Sequence, residues 1–277
     1  MASKKVAFQG ERGAYSEVAA RELLGKSITP VPCDSFETLF ERVEKKRTDL
    51  GVIPIENSLV GSIHKNYDLL LEHNLKVIGE VQLRVSHALI APPNVPFKKI
   101  SKVYSHPMAL EQCRKFFKKH KTIAPISYYD TAGAVRMIAE SGLSNSAAIA
   151  SPYAAQIYKM KLLQQAIEDE KHNYTRFLLL SRTQSKFKGK AKTSIVFSLK
   201  SEPGALFKAL SVFALRSIDL TKIESRPSRK QAWQYYFYVD FEGDIKDKLV
   251  NHALDHLGEI THFIKILGSY PYRVNGL

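Results

Sequence analysis

Five short stretches combine small, hydroxyl and polar residues in a way that suits anion binding: Gly13-Ala14-Tyr15-Ser16, Glu56-Asn57-Ser58, Ser105-His106-Pro107, Asp130-Thr131-Ala132 and Ser151-Pro152. Each stands where a short apolar run gives way to residues with helical spacing. The first turn of a helix leaves backbone N–H groups unpaired at the positive end of the helix dipole, so a carboxylate can be held there. In an open α/β sheet such turns gather beyond the carboxyl ends of the strands, where ligands bind. Ser, Thr and Asp are also ordinary N-caps, and capping alone explains any single stretch. Together the five predict an anion-binding cleft without naming its occupant.

Other chemistries lack their patterns. Gly10-Glu11-Arg12-Gly13 has no Gly-Lys-Ser/Thr ending, and no GxGxxG opens a helix. Neither GxSxG nor HExxH occurs. His252 and His256 stand four apart, a spacing open to a metal, yet no carboxylate motif accompanies them, so a solvated or interface role is expected. Cys33 and Cys113 form neither a CxxC nor a disulfide framework, which fits a reducing compartment. Met108, Met137 and Met160 read as packing residues, and Trp233 as a core or interface residue. No metal and no cofactor is expected.

The elements that must position these residues follow from periodicity. Val6-Ala7-Phe8 reads as a strand and residues 14–24 as a helix; Phe36, Leu39, Phe40 and Val43 mark an amphipathic helix. Residues 50–55 form a buried strand, and 77–90 contain extended segments. Strand–helix units follow at 100–104 with Leu110, Cys113 and Phe117, at 126–129 with 132–140, and at 147–150 with 153–158; residues 177–180 form a last strand. This alternation is that of an α/β sheet. Domain boundaries are expected at 1–183, a lysine-rich linker at 184–192, and 193–277. The last region reads βαββαβ: strand 194–199, helix 205–216, strands 220–225 and 234–241, helix 246–257 and strand 262–267, a ferredoxin-like unit.

A chain of 277 residues, 44% hydrophobic and 25% charged, has room for two domains that each bury a core. The formal charge of +14 rests on dispersed lysines with no nucleic-acid-binding motif, so it is read as a solvated surface that attracts small anions. No run approaches the roughly 18 apolar residues of a membrane span, and the first residues contain no apolar signal region. A cytoplasmic protein is expected, with no nucleic acid and no membrane partner.

Gly13-Ala14-Tyr15-Ser16, Pro54-Ile55-Glu56-Asn57-Ser58, Gly61-Ser62-Ile63-His64, Ser105-His106-Pro107, Asp130-Thr131-Ala132 and Asn173-Tyr174-Thr175-Arg176-Phe177 resemble, in order, the motifs of the prephenate dehydratase family. Gly204-Ala205-Leu206-Phe207 and Glu224-Ser225-Arg226-Pro227 resemble motifs of the ACT regulatory module attached to these enzymes. The resemblance implies a two-lobed catalytic domain like a periplasmic binding protein, with the active site between its lobes. It implies Thr175 and Glu56 as catalytic residues, and Arg176, Phe177, Asn57, Ser58, Ser105, Gln112 and Thr131 as substrate-binding residues. It implies an effector site for phenylalanine at Gly204, Ala205, Leu206, Glu224, Ser225, Arg226 and Pro227, and a homodimer or homotetramer. Met108 departs from the glutamine of many members, and Phe207 replaces an aliphatic residue.

The implied reaction is the decarboxylating dehydration of prephenate to phenylpyruvate in phenylalanine biosynthesis. The alternative is arogenate, which gives phenylalanine directly. Residues 61–71 and 192–227 resemble plant arogenate dehydratases, but no single residue decides. The protein must grip one carboxylate and help hydroxide leave while the other carboxylate departs as carbon dioxide. Arg176 can clamp a carboxylate through its planar fork. Thr175 can donate a hydrogen bond to the departing hydroxyl, and a protonated Glu56 is the other candidate. A binding protein with the same cleft but no turnover is the competing class, which a turnover assay separates.

Overall fold

Val6, Ala7 and Phe8 are wholly buried in β1 (Lys4–Gln9), the strand from which the first sheet grows. α1 (Tyr15–Leu24), β2 (Ile28–Cys33), α2 (Phe36–Glu44) and β3 (Leu50–Asn57) follow. Helix α2 turns Leu39, Phe40 and Val43 inward, as its spacing predicts, and Ser35 caps it by accepting the Thr38 N–H at 3.2 Å. β2 was not foreseen. Its Pro30 and Pro32 argue against a strand in a sheet interior, but β2 lies at the sheet edge beside β1, where proline is tolerated. Next come β4 (Gly61–Ser62), α3 (His64–Glu72) and β5 (Lys76–Arg84).

The second sheet is built from β6 (Ala88–Ala91), β7 (Lys102–Ser105), β8 (Ala124–Ser127), β9 (Ser146–Ala150) and β10 (Lys161–Gln164). Between them lie α4 (Pro107–Glu111) and α5 (Arg114–Lys119), then α6 (Thr131–Ser141) and α7 (Pro152–Ile157). The single helix expected after β7 is thus broken at Gln112 and Cys113. β11 (Tyr174–Ser181) returns to the first sheet, whose order is β2-β1-β3-β11-β5 with β4 on β3; the second has the order β10-β6-β9-β7-β8. Both are open sheets with helices packed on them, the α/β class expected.

The described residues are 3–228 and 233–272 of this computed structural model. The chain divides into two compact units, Met1–Ile63 with Val81–Phe177, and His64–Glu80 with Leu178–Leu277. The first holds two apolar cores, one around Phe8, Ile90, Val135 and Ile138, the other around Val103, Cys113, Phe116 and Ile149.

The second unit contains β12 (Ala191–Leu199), α8 (Ala205–Ala214), β13 (Leu220–Pro227), β14 (Tyr235–Glu242), α9 (Lys248–Ile260) and β15 (Thr261–Pro271). Its antiparallel sheet has the order β13-β14-β12-β15, the ferredoxin-like βαββαβ arrangement expected. Helices α8 and α9 cover one face through Val212, Phe213, Val250 and Leu257. Residues 64–80 belong to this unit because its polar groups hold them. Tyr238 donates to the Tyr67 carbonyl at 2.9 Å, and Lys265 donates to the carbonyls of Leu70, Leu71 and His73 at 3.0, 2.9 and 2.7 Å. A Cβ on Gly268 would stand 2.1 Å from the Val77 carbonyl oxygen, so only glycine fits there.

Two expectations are corrected in this unit. Ala191 and Lys192, assigned to the linker, begin β12, and Lys192 is buried in an ion pair with Glu80 at 2.6 Å. For Trp233, read as core or interface, the core alternative fails, since it is 89% exposed in a turn. Arg229 and Lys230, expected in a turn beside Pro227, lie outside the described residues. Among the described residues no helix is long and apolar enough to cross a membrane.

Candidate functional site

The first and last of the five polar junctions meet in space. Gly13 has φ +89°, and a Cβ there would stand 2.7 Å from the Ala154 Cα. The Gly13 carbonyl accepts the Ser151 hydroxyl at 2.6 Å, and Ser151 caps α7. The Gly13 N–H donates to buried Glu17 at 2.9 Å, and Arg12 and Arg21 pair with the same carboxylate. Burial would raise the Glu17 carboxyl, but these donors outweigh it and hold the group below the usual range. Tyr15 is thereby set at the start of α1, facing the polar groups of the second sheet.

Those groups surround a cavity of about 370 Å3 inside the first unit. From the first sheet and its connections come Tyr15, Asn57, Val85, Thr175 and the segment Val60-Gly61-Ser62-Ile63; from the second and its connections come His87, His106, Met108, Ala109, Gln112 and Thr131. Asp130 caps α6 by accepting the Gly133 N–H at 2.7 Å, so Thr131 brings a helix start to the cavity wall. No lysine, arginine or carboxylate lines the wall among the described residues.

Asn57 sets the polarity of this site. The N–H groups of Leu59 and Val60 both donate to Asn57 Oδ1 at 3.0 Å. Asn57 Nδ2 is therefore the donor, and it faces Thr175 Oγ1 at 2.9 Å, Asn173 Oδ1 at 2.7 Å and the Tyr174 carbonyl at 3.1 Å. Thr175 accepts from Asn57 and keeps its own hydrogen for a partner in the cavity. Behind it, Asn173 Nδ2 meets Gln112 Oε1 at 3.2 Å, and His87 Nε2 lies 2.9 Å from the same oxygen. Tyr15 Oη lies 2.9 Å from His87 Nδ1 and 2.7 Å from the Ser86 carbonyl, and its one hydrogen is shared between them. Burial pushes the Tyr15 phenol well above its ordinary value and the His87 imidazole below its own, the latter against the Gln112 hydrogen bond and the Glu168 carboxylate.

Of the residues singled out in the sequence, Thr175, Asn57, Gln112 and Thr131 lie on the cavity wall. Arg176 and Glu56 do not. They form an ion pair at 3.1 Å, because alternate residues of a strand point to opposite faces and each adjoins a wall residue, Thr175 or Asn57. Phe177 is 2% exposed in the interior. Ser105 is buried and donates to the Ile149 carbonyl at 2.6 Å, joining β7 to β9; Ser58 exchanges hydrogen bonds with the His172 carbonyl and the Tyr174 N–H. Tyr15, His87, His106 and Asn173 were given no role from the sequence. The available signal for His87 was a polar residue within the apolar stretch 77–90. Cys113 is core, and burial pushes its thiol far up, so it is no nucleophile.

The second unit has its own cavity, about 540 Å3, at the start of α8. Ala205 and Leu206 line it with Leu199, Glu202, Tyr235 and His262, and Gly204 caps α8 with φ +75°. Glu224, Ser225, Arg226 and Pro227 are not on its wall. In β13, Ser225 and Pro227 are exposed, while Glu224 and Arg226 turn to α3, where Arg226 makes a two-point ion pair with Asp68 at 3.2 Å. Among the described residues no group of His, Cys, Asp and Glu is arranged to hold a metal.

Comparison with known proteins shows the family. The prephenate dehydratase profile matches residues 6–185, and the ACT domain profile matches residues 193–255. The chain is 49% identical to arogenate dehydratase/prephenate dehydratase 2 of Arabidopsis thaliana over 282 residues, 96% of this chain and 72% of that one. The prephenate dehydratase of Arthrobacter aurescens, solved in complex with L-Phe, superposes with a TM-score of 0.87 at 31% identity, over 97% of this chain and 90% of that one. A structure described as a novel type of quorum quenching acylase superposes with a TM-score of 0.90 at 32% identity, over 98% and 99%. An ACT domain in this setting points to regulation by an aromatic amino acid. The chain belongs to the prephenate dehydratase family, as a lyase-type enzyme of aromatic amino acid biosynthesis with an ACT regulatory domain.

Proposed function

We propose that this enzyme converts arogenate to phenylalanine, and prephenate to phenylpyruvate less efficiently. The observation that carries the dehydration is the Asn57–Thr175 contact at 2.9 Å, which leaves the Thr175 hydroxyl as a donor toward the cavity. In the reaction the ring C–O bond breaks and oxygen leaves with its electron pair. The bond to the ring carboxylate breaks in turn, its electrons enter the ring, and carbon dioxide departs. Hydroxide takes up one proton to become water. Thr175 donates to the oxygen as its charge develops. His106 lies on the same wall with Nδ1 accepting the Met108 N–H at 3.2 Å, so its ring hydrogen sits on Nε2 and can donate a hydrogen bond to the departing oxygen, while the proton that completes water comes from solvent. Glu56 is the weaker candidate, since Arg176 holds it as a carboxylate partner at 3.1 Å.

The substrate preference rests on charge. Prephenate brings two carboxylates, whereas the ammonium of arogenate cancels one of them. A wall without lysine or arginine favours the less anionic molecule, with Gln112, Thr131 and the start of α6 as donors to its carboxylate. The name of the Arabidopsis relative covers both substrates. Acyl transfer would need a base at Thr175, and the group in contact there is the Asn57 amide, itself a donor.

For regulation, phenylalanine is the proposed effector at the cavity beside Ala205 and Leu206, with exposed Phe207, Leu215 and Leu249 as the contacts of a homo-oligomer. Steady-state kinetics on both substrates test the main reading. The expected kcat/KM for arogenate exceeds that for prephenate by roughly tenfold, about the effect of one uncompensated charge contact. A higher value for prephenate overturns the preference, and no turnover of either overturns the activity.

A further inference from the structure

His87 is 2% exposed at the cavity wall, and it ends a hydrogen-bond chain that begins at Thr175. The direction of every link follows from one anchor. The backbone N–H groups of Leu59 and Val60 can only donate, so Asn57 Oδ1 accepts and Asn57 Nδ2 donates. Asn173 Oδ1 must then accept at 2.7 Å, which leaves Asn173 Nδ2 to donate to Gln112 Oε1. That oxygen lies 2.9 Å from His87 Nε2, and an acceptor facing it requires a proton on Nε2.

We infer that His87 is a positioning residue whose Nε2–H, together with Asn173, holds the Gln112 oxygen away from the cavity so that the Gln112 NH2 group faces the substrate carboxylate. Were Nε2 unprotonated, the Gln112 amide would turn to donate to it and would present its oxygen to an anion, a repulsive contact. On the other side of the ring Tyr15 shares its hydroxyl hydrogen between Nδ1 at 2.9 Å and the Ser86 carbonyl at 2.7 Å, and the Glu168 carboxylate accepts the His87 backbone N–H at 2.8 Å, so ring and backbone are both fixed. The inference rests on the proposed reading for the identity of the substrate, but the tautomer of His87 does not.

Two measurements test it. Long-range 1H–15N correlation of the histidine rings, with His87 assigned by its loss in His87→Gln, is expected to show the proton on Nε2; a proton on Nδ1 alone overturns the inference whatever the activity. In kinetics, His87→Leu removes the donor at similar volume and is expected to raise KM roughly tenfold or more, with a smaller change in kcat, the scale of one hydrogen bond to a charged group. His87→Gln places an amide N–H near the lost Nε2–H and is expected to recover most of that rise. Equal KM in wild type and His87→Leu, or no recovery in a folded His87→Gln, overturns the role. Absence of turnover in the wild type would instead remove the dehydratase reading, leaving the ring spectrum to decide the hydrogen-bond direction.

Discussion

Asn57 Nδ2 donates to Thr175 Oγ1 across 2.9 Å while two backbone N–H groups pin the other end of the same amide. A hydroxyl that already accepts is a better donor for the group it faces, and Thr175 stands on the cavity wall.

Thr175→Ala is expected to lower kcat by roughly 100-fold or more, the scale of one transition-state donor, with a smaller change in KM. Asn57→Asp makes a sharper test. A carboxylate accepts the Leu59 and Val60 N–H groups as before, but its second oxygen would draw the Thr175 hydrogen away from the cavity. A comparable fall in kcat is expected in a folded protein, with some loss of thermal stability because the new oxygen also faces Asn173 Oδ1 and the Tyr174 carbonyl. A near-native kcat would show that the contact does not set the donor.

Met108 is 38% exposed on the cavity wall and offers only a weak sulfur acceptor. Met108→Gln adds an N–H donor to a wall that lacks cations. It should lower KM for prephenate more than for arogenate, shifting their ratio by roughly threefold to tenfold. Competition kinetics with both substrates reads the ratio, and an unchanged value argues that residue 108 does not reach the substrate.

Arg226 and Asp68 join β13 to α3 through two contacts of 3.2 Å, with side chains only 12% and 15% exposed. Helix α3 follows directly in the chain on the wall residues Gly61, Ser62 and Ile63. Asp68→Asn is expected to weaken the phenylalanine response, moving the half-effective concentration by roughly fivefold or more, a typical coupling energy. Turnover without phenylalanine should stay near native. An unaltered response would place the coupling elsewhere.

Glu17 contributes to acid stability. Its carboxyl lies below the ordinary value of 4.5 in the folded chain despite burial, because Arg12, the Gly13 N–H and Arg21 all donate to it. The unfolded chain therefore binds more protons in this window, and the stability due to Glu17 is present above pH 4.5 and lost as pH falls through the folded value. Glu17→Gln should cost about 2 kcal/mol near neutrality, since charge-assisted hydrogen bonds are replaced by weaker ones. The difference from wild type should shrink as the pH drops below 4. Urea titrations across that range check both.

Local signals in the sequence determine a great deal of this protein. The spacing of Leu39, Phe40 and Val43, the caps at Ser35, Asp130 and Ser151, and the βαββαβ order of the second unit all rest on contacts within a few residues, which periodicity and capping report directly. The motif around Thr175 likewise stands in consecutive residues. Tertiary structure alone decides which motif residues share a wall. Thr175 and Arg176 are neighbours in sequence, yet the pleat of β11 sends one to the cavity and the other to Glu56. The break after α4 frees Gln112 for the site, and Asn57, Gln112, Asn173 and His87 meet across separations of up to 116 residues. Hydrogen-bond direction in such a chain depends on which donors the fold brings within 3 Å, and no local pattern of residues encodes that.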